Sequence, residues 1–194
     1  MKLLHIDSSI LGEGSASRAL TREIVDRLRA ARPRTEVTYL DLASQELPHF
    51  SQRSLARADK RESARDEQAL EQFLAADVVV IGAPMYNFTI PSQLKAWIDR
   101  IAVKGKTFRY GPKGPEGLAG GKRVIVAVAR GGIYPSGAAS GDFGESYLRH
   151  LFGFLGVRDL EFVRAEGLNI SPEHRATGLE AARASIPVPA ALAA

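Results

Sequence analysis

Asp77-Val78-Val79-Val80-Ile81-Gly82-Ala83-Pro84-Met85-Tyr86-Asn87-Phe88-Thr89-Ile90-Pro91 is the stretch that decides the architecture of this chain. Its first part is a short, fully apolar run bounded by Gly82 and Pro84. Such a run reads as a strand buried on both faces, the pattern of a parallel sheet covered by helices. Directly behind it, Leu94, Trp97, Ile98 and Ile101 recur at i, i+3, i+4 and i+7, so a helix begins near Ser92. In parallel sheets ligands collect at the carboxyl ends of the strands. A loop of Met, Tyr, Asn and Phe at that edge offers flat apolar surface and an amide, which suits a planar aromatic ring better than a phosphate or a metal.

Working outward, further strands are expected at 3–7, 36–41, 123–129 and 160–165 beside the one at 77–82, with helical patterns in the gaps. Strands alternating with helices imply an α/β fold with an open five-stranded parallel sheet, order 2-1-3-4-5, and helices on both faces. The first helix spans 17–31, with Leu20, Ile24, Leu28 and Ala31 on one face and Pro33 closing it. Phe143, Tyr147, Leu151 and Leu155 repeat every four residues and mark another helix, ending at Gly156. Three segments stand outside this alternation. The polar stretch 47–65 is expected as a surface connection with short helical pieces. The stretch 107–117 alternates aromatics and then turns on Gly and Pro, as a small hairpin does. The tail 186–190 holds Pro187 and Pro189 and reads as a loose terminus.

With 194 residues, the economical reading is one domain over 1–194. A hydrophobic fraction of 45% and a charged fraction of 25% exclude disordered and fibrous classes. The absence of cysteine excludes a disulfide framework, a thiol nucleophile and a Cys-ligated metal. The net charge of +4 comes from Lys and Arg interspersed with acids, so no nucleic-acid partner is indicated. No apolar run is long enough to span a bilayer and the start of the chain lacks a secretory apolar segment, so a cytoplasmic protein without membrane association is expected. His5, His49, His150 and His174 are dispersed, and no G-x-S-x-G elbow occurs; neither a metal site nor a hydrolytic triad is expected.

The strand order brings three loops to one crevice: residues 8–17, 84–88 and 129–134. The first, Ser8-Ser9-Ile10-Leu11-Gly12-Glu13-Gly14-Ser15-Ala16-Ser17-Arg18, carries hydroxyls into a helix N-terminus, whose unpaired N–H groups and dipole attract a phosphate. Ser9, Ser15 and Ser17 are candidate donors, Arg18 a candidate source of charge, and either Ser15 or Ser17 serves as N-cap. The dinucleotide fingerprint fails because Ser17 stands where its third Gly belongs. The P-loop pattern fails because Glu116 and Arg123 replace its first Gly and its Ser or Thr. A monophosphate joined to a flat ring is the better match. In the third loop, Ala129-Arg130-Gly131-Gly132-Ile133-Tyr134, paired glycines let a ligand approach the backbone and expose N–H donors to negative charge.

With these residues in place, the chain resembles the FMN-dependent NADH azoreductases, also described as NADH:quinone oxidoreductases, of the flavodoxin-like superfamily. The resemblance runs almost end to end. It is carried by Asp7-Ser8-Ser9 with Ser15-Ala16-Ser17, residues 83–88 with Gln93-Leu94-Lys95, Thr107-Phe108-Arg109-Tyr110 with Gly114-Pro115-Glu116-Gly117, Arg130-Gly131-Gly132, and Gly153-Phe154-Leu155-Gly156. It implies a flavodoxin-like FMN-binding domain. Ser9, Ser15, Ala16 and Ser17 would hold the FMN phosphate. Pro84, Met85, Tyr86, Asn87 and Phe88 would border the isoalloxazine, with the Asn87 backbone near N5. Ala129, Arg130, Gly131 and Gly132 would cover the pyrimidine edge.

The resemblance further implies a homodimer whose substrate pocket lies at the subunit boundary, with Tyr110 and Phe154 lining the pocket of the other subunit and Tyr134 bearing on substrate preference. Catalysis is then ping-pong: hydride passes from NADH or NADPH to the flavin, and from it to a quinone or an aromatic azo compound. No side chain is assigned as an obligatory proton donor. Three positions depart from the common pattern: Ala129 replaces a Ser, Ala16 a larger polar residue, and Tyr134 a His that some members carry. A flavodoxin-type electron carrier is the alternative, although such carriers are strongly acidic. A flavin-free α/β binding protein is the second.

Overall fold

A computed structural model describes residues 1–134 and 141–187. Its parallel sheet is built from β1 (Lys2–Asp7), β2 (Glu36–Asp41), β3 (Val78–Pro84), β6 (Arg123–Ala129) and β7 (Asp159–Ala165), in the order β2-β1-β3-β6-β7. With the hairpin strands β4 (Phe108–Gly111) and β5 (Gly114–Gly117) set aside, this is the expected order 2-1-3-4-5. The sheet reverses direction between β1 and β3, so the loops after those strands open onto a common crevice.

Every residue of β3 is buried, as an apolar run without alternation requires. Its side chains alternate between two cores. Val79 and Ile81 join Trp97, Phe73 and Phe152 on the side of α3 (Lys60–Ala75), α4 (Ser92–Ile101) and α5 (Phe143–Phe154). Val78 and Val80 join Leu20, Ile24 and Leu28 of α1 (Ala16–Ala31) on the other. Burial of each such side chain contributes roughly 1.5–3 kcal/mol. β3 extends two residues further than the sequence suggests: Ala83 and Pro84 pair with Val128 and Ala129 of β6. Pro84 stands at the strand end, where its missing N–H costs no ladder bond.

The polar connection 47–65 is a surface segment with a short helix, α2 (Gln52–Leu55), but its last six residues already belong to α3. Charge there hides the helix from a periodicity argument. Asp59 sets its start, accepting from the Arg61 and Glu62 N–H groups. A last helix, α6 (Pro172–Ala184), carries no apolar stripe, since Ala182 is its only fully buried residue. Ser171 caps it and Pro172 opens its first turn. The terminus is not loose at its first residue: Ile186 is buried in the α1 core. The remainder of the expected tail, from Val188 on, lies outside the described residues.

Candidate functional site

Ser15 is the N-cap of α1, its hydroxyl accepting from the Arg18 N–H at 3.3 Å. Its other neighbour is the Ser17 hydroxyl at 3.1 Å. Ser8, Ser9, Ser15 and Ser17 are all buried. Ser8 is committed to the fold, donating to the Gly82 carbonyl at 2.6 Å. No acceptor among the described residues meets the N–H groups of Ala16 and Ser17. Two free first-turn donors and the Ser9, Ser15 and Ser17 hydroxyls therefore surround the N-terminus of a sixteen-residue helix. That donor set fits a phosphate monoester.

Arg18 does not supply free charge to this cradle. Its guanidinium forks onto both carboxylate oxygens of Asp41, at 2.7 and 2.9 Å, and donates to the Ser9 carbonyl at 2.8 Å. The bidentate pair raises the Arg18 pKa further and holds the Asp41 carboxyl below its usual range. Arg18 is a brace behind the loop. Below it lies Asp7, whose carboxylate accepts from Thr21 at 2.8 Å and Tyr39 at 3.1 Å, with His5 Nε2 at 3.5 Å. Burial alone would raise the Asp7 pKa, but the His5 imidazole beside it, with hydrogen bonds from Thr21 and Tyr39, carries it below the ordinary carboxylate value. Gly82 makes room for this arrangement: a Cβ there would stand 2.8 Å from Asp7 Oδ1.

In the second loop, residues 86–89 form a tight two-residue hairpin, with Tyr86 N–H donating to the Thr89 carbonyl and Thr89 N–H to that of Tyr86. Asn87 and Phe88 at its tip have φ of +48° and +69°. Paired left-handed residues are what the turn demands; Asn tolerates this region, whereas Phe is strained in it. The turn leaves the Asn87 and Phe88 N–H groups without an acceptor among the described residues. Phe88 is also exposed, a flat apolar ring on the crevice rim.

The third loop is pinned from behind. The carbonyls of Arg130, Gly131 and Gly132 accept from Leu168, Asn169 and Gly167 respectively. The Gly131 and Gly132 N–H groups have no acceptor among the described residues. Arg130 is 5% exposed and faces no crevice: it pairs with Asp142 and with Glu145 at 3.0 Å and Glu166 at 2.9 Å. Its contribution to a ligand is thus through its backbone. Asn169 and Glu166, which sequence reasoning missed, hold this loop; the signal was only one acid and one amide among Gly167, Leu168 and Ile170 after the last strand.

Cross-links join the three loops. Tyr86 Oη stands 3.2 Å from Ser9 Oγ and 3.2 Å from the Ile10 nitrogen, and Met85 N–H donates to the Ala129 carbonyl at 2.9 Å. Ser9, Ser15, Ala16 and Ser17, residues 84–88, and residues 129–132 are therefore brought together, with the Tyr134 ring beside Gly132. Tyr110 and Phe154 are not. Phe154 ends α5, eleven residues beyond the end that hydrogen-bonds Phe88, a separation of roughly 17 Å along the helix. There it packs on Phe108 at 4.7 Å between ring centres, and Phe108 on Tyr110.

Beside the 86–89 turn, a cavity of about 910 Å³ is lined by Met85, Tyr86, Ile90, Gln93 and Tyr147. No cluster of His, Asp and Glu suited to a metal occurs among the described residues, and none of their helices is long and apolar enough to cross a membrane.

The sequence model of a family described as having a flavodoxin-like fold matches residues 1–187. The chain is 56% identical, over 96% of its length and 95% of the other protein, to FMN-dependent NADH:quinone oxidoreductase 1 of Xanthomonas axonopodis pv. citri. Among solved structures, an azoreductase of Bacillus anthracis str. Sterne is 33% identical with a TM-score of 0.82, covering 96% of this chain and 98% of that one. An FMN-dependent NADH-azoreductase of Bacillus anthracis str. Ames Ancestor, solved in complex with FMN, is 25% identical with a TM-score of 0.84 and the same coverage.

Proposed function

The chain belongs to the flavodoxin-like family of FMN-dependent NADH:quinone oxidoreductases, and from that premise we propose that it binds FMN in its three-loop crevice and reduces quinones and aromatic azo compounds with NADH or NADPH. The observation that carries the reading is the donor set: hydroxyls and free N–H groups at the α1 N-terminus, cross-linked to two loops whose tips also hold free N–H groups. A phosphate at one end and a ring at the other match that spacing of chemistry. When bound, FMN supplies hydride acceptance from the nicotinamide and then hydride donation to the acceptor, in ping-pong order.

The chain's own residues do the rest. Ser9, Ser15 and Ser17 with the Ala16 and Ser17 N–H groups hold the phosphate. Ala16 offers only its backbone. Pro84, Met85, Tyr86 and Phe88 border the ring, and the Asn87 N–H addresses a ring nitrogen. Ala129 and Arg130 seat the third loop, whose Gly131 and Gly132 N–H groups place dipole ends where negative charge gathers on reduction. Tyr134 shapes the acceptor side. One FMN domain over 1–194 works as a homodimer in the cytoplasm, each subunit lending Tyr110 and Phe154 to the pocket of the other. The distance of both rings from their own crevice and the exposure of Tyr110, at 65%, support that assignment.

The test is direct. Apo-protein titrated with FMN should quench its fluorescence at one equivalent, and NADH oxidation by the loaded protein should accelerate with added quinone or azo dye. No FMN binding overturns the reading. FMN binding without acceptor-dependent oxidation supports an electron carrier instead.

A further inference from the structure

One oxygen atom holds both ends of the third loop. Glu166 Oε1 accepts from Arg130 Nη1 at 2.9 Å and from the Tyr134 backbone N–H at 3.2 Å. Between those anchors lie Gly131 and Gly132, whose carbonyls are bound by Asn169 and Gly167 and whose N–H groups are left for a ligand. The same five residues set the Tyr134 ring, which lies 3.4 Å from where a Gly132 Cβ would stand. Carbonyl bonds alone fix the loop along one edge. The Glu166 carboxylate fixes its span.

The charge arrangement makes this clamp specific to Glu166. Arg130 meets three carboxylates, of which Asp142 and Glu145 belong to the start of α5. Glu145 in turn is bound by Arg149 and Arg164, at 2.8 and 2.6 Å. Among the described residues, three acids and three guanidinium groups thus form a network, in which Glu166 also accepts from the loop backbone, at the Tyr134 N–H. Without Glu166, Arg130 keeps Asp142 and Glu145 as partners, while the Tyr134 N–H loses its acceptor.

We propose that Glu166 is a positioning residue for the proposed reaction: its single carboxylate oxygen, bridging Arg130 and Tyr134, sets the aim of the Gly131 and Gly132 N–H groups toward FMN and of Tyr134 toward the acceptor. This rests on the FMN reading above. Glu166→Ala removes both bonds; Glu166→Gln keeps a neutral acceptor for Tyr134 and loses the charge toward Arg130. The FMN dissociation constant of the apo-protein, the midpoint potential of the bound flavin and the apo-protein Tm are measured for each.

Glu166→Ala is expected to weaken FMN binding about tenfold, the equivalent of about 1.4 kcal/mol, with Glu166→Gln intermediate. The potential should become more negative, because misaimed N–H groups stabilise the reduced form less. KM for the acceptor should rise more than KM for the nicotinamide donor. A fall in Tm with FMN affinity and potential unchanged in Glu166→Ala would reduce the clamp to a structural bond and overturn the proposal alone. Failure of the wild-type chain to bind FMN overturns the cofactor reading, and this inference with it.

Discussion

The Tyr86 hydroxyl lies 3.2 Å from Ser9 Oγ, so a residue of the 84–88 loop touches a residue of the 8–17 loop across 77 positions of sequence. The same hydroxyl meets the Ile10 nitrogen at 3.2 Å. A phenol that serves both loops sets the distance between the two ends of the crevice. Tyr86→Phe keeps the ring and deletes this tie. A hydrogen bond of this kind contributes about 1 kcal/mol, so FMN affinity should fall roughly fivefold in a fluorescence titration, with Tm changed by no more than a few degrees. Wild-type affinity would show that the loops hold their spacing without Tyr86.

Asn87 tests the second loop through its backbone. At φ +48° a left-handed residue is required, and a branched side chain there costs roughly 1–2 kcal/mol. Asn87→Gly retains the N–H and adopts the turn, so its FMN affinity should stay within about threefold of wild type. Asn87→Val strains the turn and should bind less well. Asn87→Pro removes the donor but also cannot reach this φ, so it does not separate the two effects, whereas the Gly and Val pair does. Equal affinity in Gly and Val variants would detach the turn geometry from binding.

The architecture and the location of the crevice were legible in the sequence because both follow from residue chemistry over short spans. The short unbroken run 78–81, bounded by Gly82 and Pro84, reads as a doubly covered strand, and Met85-Tyr86-Asn87-Phe88 is a poor continuation of it. Pro84 misled the boundary, since a proline at a strand end resembles a loop residue until its partner Ala129 is known. Arg18 was misread in a related way. It looked like a source of charge for a ligand, and it is neutralised by Asp41, distant in sequence; Arg130, expected at the ring edge, is likewise bound by Glu145 and Glu166. Pairings of that kind depend on topology and carry no local periodicity. The helix at 172–184 escaped for another reason: alanine gives helical propensity without an apolar stripe.

Glu145 makes stability depend on acid. Burial by itself would raise its pKa, but Arg164 and Arg149 hold it down to about 2, against an ordinary value of 4.5. A carboxylate depressed on folding stabilises fully above its unfolded pKa and loses that contribution as pH falls through the folded one. The window is therefore from about pH 4.5 down to about 2. Wild type should exceed Glu145→Gln in urea midpoint at pH 7, and the gap should narrow steadily below pH 4.5. A gap that stays constant down to pH 2 would mean that Glu145 acts by packing and not by charge.

Tyr110 separates the homodimer from the single chain. Its ring is 65% exposed on the hairpin, in edge contact with Phe108 and about one helix length from its own crevice. Removing an exposed side chain alters stability by no more than about 0.5 kcal/mol, so Tyr110→Ala should melt as wild type does and bind FMN equally well. If a second subunit receives this ring in its pocket, KM for a quinone or azo acceptor should rise severalfold while the rate of reduction by NADH in stopped flow stays unchanged. Mixing inactive subunits that carry Tyr110 with Tyr110→Ala subunits should then restore the lower KM in the heterodimer, because the intact crevice regains a tyrosine from its neighbour. Acceptor kinetics indifferent to Tyr110 in both experiments would place the acceptor wholly within one chain, against Tyr134.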